Sequence, residues 1–243
     1  MTSWPAGYRR KDYAELDSTN EEARRLAEAG EAGPLWITAT RQTAGRGRRG
    51  RAWDTGEGNL AATLLLRPEA SQAITGQLSF AAALAAAEMV QHFAHAATVT
   101  VKWPNDVLAE GHKIAGILLE GGHDSKGGWL AIGIGVNLAH HPEGTAFPAT
   151  SLPQLGIAPP SCDQAMGLLA VRFAHWYDAW MEKGFEALRV AWLERASGLG
   201  APITARLPHE TRAGVFEGID ASGALLLNDG TQVRAIAAGE VFF

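Results

Sequence analysis

Cysteine is almost absent from this sequence, since Cys162 is the only one among 243 residues. A single cysteine excludes an internal disulfide framework and is typical of proteins in a reducing compartment. Long apolar runs are also missing, because the most apolar stretches, Ala81–Val90 and Leu130–Leu138, are too short to span a bilayer. Residues 1–17 are mixed and polar, so we expect no signal peptide, no membrane partner and a cytoplasmic location.

A surplus of positive charge and a histidine metal motif are missing as well. Lys and Arg number 21 against 26 Asp and Glu, which gives a formal net charge of -5. This balance argues against a nucleic-acid partner, and we expect no DNA binding. The eight histidines form no H-E-x-x-H pattern, and His140 and His141 are adjacent rather than one helical turn apart. We therefore expect no histidine-based metal site.

The sequence contains enough apolar residues, 47%, for a substantial core. A capping-box pattern at Ser18 or Thr19 predicts a helix that ends at Gly30. Further helices are predicted over Ser71–Ala96, Cys162–Lys183 and Phe185–Ala196. Strands are predicted over Leu35–Thr40, Asn59–Arg67, Thr98–Trp103, Lys113–Glu120 and Trp129–Leu138. Strands that are grouped rather than alternating strictly with helices indicate an α+β fold with a mixed sheet and flanking helices.

The composition changes near Ser197–Gly200, after which short strands alternate with tight turns. The turn signals are Asp220–Gly223 and Asn228–Gly230. The strands predicted here are Ile203–Leu207, Ala213–Ile219, Ala224–Leu227 and Gln232–Ile236. We therefore predict two domains: residues 1–199, and a small β-barrel-like domain over residues 200–243.

The segment Gly45–Arg51, with the sequence GRGRRGR, lies in a long loop over residues 41–58. It matches the dinucleotide fingerprint G-x-G-x-x-G, but that motif requires a helix directly after it, and a strand follows here. The glycine loop of protein kinases fits a strand–loop–strand setting, yet the H-R-D and D-F-G motifs are missing from the sequence. A P-loop is excluded because no Gly-Lys-Ser/Thr follows.

The composition of this loop still indicates an anion site. Its three glycines allow backbone N–H groups to converge, and its four arginines concentrate positive charge in an acidic protein. A polyphosphate is the natural ligand for such a loop, and the alternative is a solvated basic loop. Trp53, just after the loop, either stacks on a base or packs in the core.

Polar residues at the ends of apolar strands mark a second part of the site. Lys102–Val107 (KWPNDV) combines a cation, an amide and a carboxylate where proline breaks a strand. Lys113 and Gly116 open the next apolar strand, and Asn137 ends the one after it. Polar strand ends with glycines that let a ligand approach are typical of a binding site rather than of a core.

Taken together, these blocks resemble the biotin protein ligases. The blocks occur in the order found in that family and cover nearly the whole chain: Ser18-Thr19-Asn20, Gln42 with Gly45–Arg51, Trp53, Lys102–Asp106, Lys113–Leu118 and Gly133–Asn137. The run Gly218–Asp220 through Ala224–Leu227 resembles the small end domain of the family. The resemblance implies a class II synthetase-like catalytic domain followed by an SH3-like barrel. Since the first block begins at Ser18, we expect the short form without an N-terminal helix-turn-helix.

The resemblance also implies a role for each matching residue. Biotin is expected to contact Ser18, Thr19, Asn20, Gln42, Gly45, Arg46, Lys113 and Gly116. ATP is expected to contact Arg48, Arg51, Trp53, Asn105, Asp106 and Asn137. The expected catalytic residues are Lys113, Arg48, Arg51 and Asp106, and Mg²⁺ is expected at the phosphates with Asp106 as a candidate ligand. For Ser18 and Thr19, simple helix capping is the alternative.

The reaction that the resemblance implies is the activation of biotin by ATP and its transfer to a lysine of a biotin carboxyl carrier protein. A lipoate or octanoate ligase of the same fold is the first alternative, but its Arg-Arg…Gly-Gly-Gly and His-Asp…Gly-Asn segments are missing here. The second is a non-catalytic biotin-binding regulator, against which the lysine and arginines count. The sequence leaves monomer and homodimer both open.

Overall fold

The structure, a computed structural model, describes residues 3–70 and 72–243. The strands of its larger part are β1 (Arg9–Leu16), β2 (Leu35–Gln42), β3 (Leu60–Leu66), β4 (Val99–Lys102), β5 (Asp106–Ala109), β6 (His112–Asp124) and β7 (Gly127–Val136). They form one sheet in the order β1-β2-β3-β7-β6-β5-β4. β1 and β2 are parallel and the other neighbours are antiparallel, which confirms the predicted mixed sheet.

Helices cover both faces of this sheet. The helices are α1 (Thr19–Glu28), α2 (Gln72–Thr75), α3 (Leu78–Phe93), α4 (Cys162–Lys183) and α5 (Phe185–Leu193). On one face, Ala23 and Ala27 of α1 pack against Leu65 and the neighbouring apolar residues of the sheet. On the other face, the alanine-rich α3 is buried between the sheet and α4, where its small side chains permit close packing.

One predicted helix, Ser71–Ala96, is two helices in the structure. The chain turns at Gly76 and Gln77 between α2 and α3, and α3 ends at Phe93. Glycine is a poor helix former, so it weakens the helix at the point where the turn occurs. The predicted start, Ser71, lies outside the described residues.

Two strands of the large sheet were not predicted. β1 has the sequence RRKDYAEL and shows no apolar alternation, because it is an edge strand held by backbone pairing with β2. β5 is a strand of four residues that begins at Asp106 and forms a hairpin with β4. In this hairpin Lys102 and Asp106 are directly opposite each other, across the turn Trp103–Asn105.

The C-terminal residues form a separate antiparallel sheet. Its strands are β8 (Pro202–Arg206), β9 (Thr211–Ile219), β10 (Leu225–Asn228), β11 (Val233–Ile236) and β12 (Glu240–Phe242), in the order β11-β10-β9-β8-β12. The predicted small C-terminal β domain is confirmed as this five-stranded sheet, although β12 was not predicted. Phe216 packs on Trp192 of α5, and the Trp103 indole donates to the Gly223 carbonyl (3.1 Å), so the two sheets share a core.

None of the helices found within residues 3–70 and 72–243 is long and apolar enough to cross a membrane.

Candidate active site

A cavity of about 510 Å³ lies on the face of the large sheet that α1 also covers. All predicted site residues except Gly45 line it: Ser18, Thr19, Asn20, Gln42, Arg46, Arg48, Arg51, Trp53, Asn105, Asp106, Lys113, Gly116 and Asn137. Gly45 is the buried first residue of the loop over residues 45–51, and its carbonyl accepts a hydrogen bond from the Trp53 amide (2.9 Å). A side chain at this position would overlap the Trp53 backbone, so glycine is required for the loop to close there.

One end of the cavity, which we call the polar end, consists of Ser18, Thr19, Asn20 and Gln42. Ser18 is the N-cap of α1, but its hydroxyl makes no capping hydrogen bond, so the predicted capping role is wrong for this residue. Gln42 Oε1 accepts from the Thr19 amide (2.7 Å), and Gln42 Nε2 donates to Thr55 Oγ1 (2.9 Å). The start of α1 is therefore fixed against β2, and Ser18, Thr19 and Asn20 line the cavity there.

The opposite end, which we call the cationic end, holds Lys102, Lys113, Arg48 and Arg51. Asp106 lies between the two lysines: Lys113 Nζ is 2.5 Å from Asp106 Oδ1, and Lys102 Nζ is 3.3 Å from Asp106 Oδ2. Two cations thus share one anion, which leaves a net positive charge. Burial lowers the pKa of Lys102 below its ordinary value, and the neighbouring Asp106 opposes that shift.

The arginine loop, residues 45–51, closes over this cationic end. Arg48 Nη1 donates to Asn105 Oδ1 (3.2 Å) and to the Gly239 carbonyl (3.4 Å). Both acceptors are neutral, and burial lowers the pKa of Arg48. Arg51 forms an ion pair with Glu240. A partly buried guanidinium whose direct acceptors are neutral would gain strongly from an anionic ligand, as the loop composition predicts.

Glycines of the two central strands form the floor of the cavity. Gly116 of β6 is paired with Gly135 of β7, and the Trp53 ring lies across them. A side chain at Gly135 would overlap the indole, and one at Gly116 would be 3.1 Å from Trp53 Cζ3 and 3.2 Å from Lys113 Cε. Lys113 Nζ lies 5.5 Å from the centre of the Trp53 ring. The predicted close approach at Gly116 is therefore made by Trp53 in this structure.

Sequence reasoning missed several residues of the site. Lys102 was part of a recognised motif but received no role, and Phe147 was not singled out, although Lys102 Nζ is 4.0 Å from the Phe147 ring centre. Glu240 and Phe242 line the cavity from β12, which was itself not predicted. Thr63 lies behind the polar end and contacts Thr19 and Asn20. Its signal was visible as a single hydroxyl in the apolar strand LAATLLL.

The described part of the chain contains no cluster of three or more His, Cys, Asp or Glu side chains that could hold a metal ion. Asp106, the candidate ligand, is already paired with two lysines. A single compensated carboxylate does not form a resident Mg²⁺ site, because that ion requires several oxygen ligands.

Comparison with known proteins identifies relatives of this chain. A sequence model of the Biotin/lipoate A/B protein ligase family matches residues 14–137, and one of the Biotin protein ligase C terminal domain matches residues 198–243. The biotin–[acetyl-CoA-carboxylase] ligase of Paracoccus denitrificans is 44% identical, with 95% of this chain and 98% of that protein covered. The bifunctional ligase/repressor BirA of Bacillus subtilis is 34% identical, with 93% and 71% covered.

Solved structures agree with the sequence comparison. The biotin protein ligase from Aquifex aeolicus, in complex with biotin and ATP, matches with a TM-score of 0.82 and 28% identity. The match covers 96% of this chain and 97% of that chain. Both sheets are therefore included in the shared fold. On these sequence and structural similarities, the chain is a ligase that belongs to the biotin protein ligase family.

Proposed function

We propose that this chain activates biotin with ATP to form biotinyl-5'-AMP and transfers the biotin to a lysine of a biotin carboxyl carrier protein. One observation carries the proposal: the polar end and the cationic end belong to the same cavity. The first suits an uncharged ring that donates and accepts hydrogen bonds. The second suits the meeting of a carboxylate with a polyphosphate.

Biotin enters with its ring at the polar end and its carboxylate towards Lys113. Ser18, Thr19, Asn20 and Gln42 are proposed to bind the ureido and ring atoms, and Gly116 to lie beneath the tail. Arg46, which pairs with Glu21 (3.0 Å) and Glu120 (3.3 Å), covers this end, and Gly45 allows the loop to close.

ATP is proposed to bind with its phosphates at the cationic end. Arg48 and Arg51 contact the phosphates, Asn105 holds Arg48, and Trp53 and Asn137 contact the nucleoside. Mg²⁺ is proposed to enter as MgATP, and Asp106 would lie near it. When bound, the ion would supply charge neutralisation at the phosphates.

In the first step a biotin carboxylate oxygen attacks the α-phosphorus, the bond to the bridging oxygen breaks, and pyrophosphate leaves. Both reactants are anions, so the fixed charges of Lys113 and the arginine loop stabilise the transition state. In the second step the carrier lysine attacks the acyl carbon, AMP leaves, and the amine proton is lost. Asp106 either accepts that proton or orients the groups around it. The loop excludes water from the reactive mixed anhydride between the two steps.

The experiment that tests this function is biotin-dependent ATP–pyrophosphate exchange by the purified protein. We expect exchange with biotin and only background with lipoate or octanoate, because a site that hydrogen-bonds a ureido ring has unpaired polar groups when a dithiolane or an alkyl chain enters. Transfer is then measured as incorporation of biotin into a carrier domain with an acceptor lysine, with a Lys→Arg carrier as the control. Equal exchange with lipoate would instead favour the lipoate ligase alternative.

DNA is not among the proposed partners. The net charge is -5, and two arginines of the arginine loop are paired with carboxylates, as Arg46–Glu21 and Arg51–Glu240. We therefore expect no sequence-dependent retention of duplex DNA at physiological salt, since specific sites need an exposed basic surface. A mobility-shift assay with competing duplexes measures this, and tight retention of one sequence would contradict it.

The proposal also includes a cytoplasmic location, where ATP is available and the single cysteine stays reduced. We also propose that the chain consists of a catalytic domain over residues 1–199 and a small end domain over residues 200–243. The separate five-stranded sheet and the match of the C-terminal family model to residues 198–243 support this division.

A further inference from the structure

Thr63 is the one polar residue of β3 and is fully buried. β3 lies between β2 and β7, with α1 on one face of the sheet and α3 and α4 on the other. A buried hydroxyl in such a strand destabilises the fold unless it is hydrogen-bonded. Valine has almost the same shape and would fill this site without that requirement. The reason for threonine rather than valine at this position must therefore lie in the residues to which the hydroxyl is hydrogen-bonded.

The partners of Thr63 are two residues of the polar end. Its Oγ1 is 2.6 Å from Asn20 Oδ1 and 2.8 Å from Thr19 Oγ1. Thr63 itself does not line the cavity, whereas Thr19 and Asn20 do. Gly133 provides the room for this arrangement, because a side chain there would overlap Asn20 Oδ1.

The direction of these hydrogen bonds follows from the other contacts of Asn20. Its Nδ2 faces Glu120 Oε2 (2.9 Å) and the Leu118 carbonyl (3.4 Å), which both accept, so the amide cannot be reversed. Its Oδ1 therefore faces Thr63 and accepts the single hydrogen of that hydroxyl. Thr63 Oγ1 then accepts from the Thr19 hydroxyl, since its own hydrogen is already used.

These hydrogen bonds determine whether the Thr19 hydroxyl acts as a donor or as an acceptor towards a ligand. The Thr19 hydroxyl also lies 3.1 Å from Gln42 Oε1, but the contact with Thr63 is shorter, and Gln42 Oε1 already accepts from the Thr19 amide. With its hydrogen directed to Thr63, Thr19 Oγ1 keeps a lone pair with which it can accept from a ligand in the cavity that Thr19 lines. A ligand N–H is the complementary group.

We propose that Thr63 is a positioning residue that fixes Asn20 and makes Thr19 an acceptor for an N–H group of the substrate ring. The inference rests on the proposed function and deepens it, because it assigns the hydrogen-bond polarity by which the site selects a ureido ring. Thr63 acts through Thr19 and Asn20 and takes no part in the chemistry at the phosphates.

The test compares Thr63→Val, Thr63→Cys and Thr63→Ser in ATP–pyrophosphate exchange at varied biotin. We expect Thr63→Val to raise the KM for biotin about tenfold, because an oriented hydrogen bond to the ligand is lost, while kcat and the KM for ATP stay within twofold. Thr63→Ser keeps the hydroxyl and should stay near wild type. Thr63→Cys, a weak donor, should be intermediate.

A matched control is Thr38→Val, which removes another buried hydroxyl, one that bonds Asp12 on the edge strand, outside the cavity. It should lower the melting temperature without changing the KM for biotin. Lipoate, which has no ureido ring, should inhibit wild type and Thr63→Val equally weakly. An unchanged KM in Thr63→Val, a tenfold rise in Thr63→Ser, or an equal KM rise in Thr38→Val would overturn the proposal. Failure of the proposed function is distinct, since wild type would then show no biotin-dependent exchange.

Discussion

Replacement of Lys113 by alanine is expected to slow biotin-dependent ATP–pyrophosphate exchange by about two to three decades. Its ammonium lies between Gly116 on the floor of the cavity and Asp106, at the end where we propose that the carboxylate meets the α-phosphate. Negative charge accumulates there in the transition state, so the interaction is stronger in that state than with bound substrate. The loss of such a contact costs about 2–4 kcal/mol of transition-state stabilisation.

The fold should tolerate the Lys113→Ala change. The backbone of Lys113 is held by the Pro148 carbonyl (2.8 Å) and the Thr150 amide (2.9 Å), and neither contact needs the side chain. Asp106 keeps its contact with Lys102. We therefore expect biotin binding, measured by calorimetry, to weaken much less than the rate of exchange. Lys126→Ala, an exposed lysine bonded to the Gly30 carbonyl, is the control. Normal exchange by Lys113→Ala would remove this residue from the mechanism.

The central strands, the arginine loop and the polar strand ends could be predicted because their signals are local, whereas the polar end of the cavity was expected only from the family resemblance. β3 and β7 are continuous apolar runs, which a strand covered on both faces requires. The polar residues at strand ends, such as Asn105 and Asn137, come together because neighbouring strands of one sheet bring their ends to the same region. The arginine loop was recognisable by composition alone.

Features that depend on distant contacts could not be predicted. β1 is charged along its length, and only pairing with β2 makes it a strand. Glu240 is separated from Arg51 by 189 positions, and no local pattern connects them. The capping pattern at Ser18 correctly marked the start of α1, but the Ser18 hydroxyl makes no capping hydrogen bond in the folded chain. Tertiary contacts decided each of these cases.

The C-terminal sheet likewise combines local features that could be predicted with a distant strand pairing that could not. Its turns were visible as Asp220–Gly223, which lies between β9 and β10, and Asn228–Gly230, which begins at the last residue of β10. No local pattern indicated that β12 returns to β8 and brings Glu240 and Phe242 to the cavity. The end domain thus contributes directly to the cationic end, through the Arg51–Glu240 ion pair and the Gly239 carbonyl that Arg48 contacts.

Arg48→Gly is expected to fold, to make biotinyl-5'-AMP, and to release it before transfer. Arg48 contributes little to the core, because its contacts are one side-chain amide oxygen and one carbonyl, both neutral. Its partly buried charge is best compensated by an anion, and the adenylate supplies one after pyrophosphate leaves. A charge-assisted hydrogen bond is worth about 1.5–3 kcal/mol, so retention should weaken roughly ten- to a hundredfold.

The released adenylate acylates exposed lysines on any protein nearby, and this provides the measurement. The variant is mixed with biotin, ATP and an unrelated bystander protein, and biotin on the bystander is compared with that produced by wild type. Arg48→Ala separates the loss of the cation from the backbone freedom that glycine adds, and should leak to a similar extent. Arg41→Ala removes an exposed arginine of β2 that pairs with Glu15, and should not leak. If Arg48→Gly makes adenylate but labels bystanders no more than wild type, the arginine loop does not retain the intermediate.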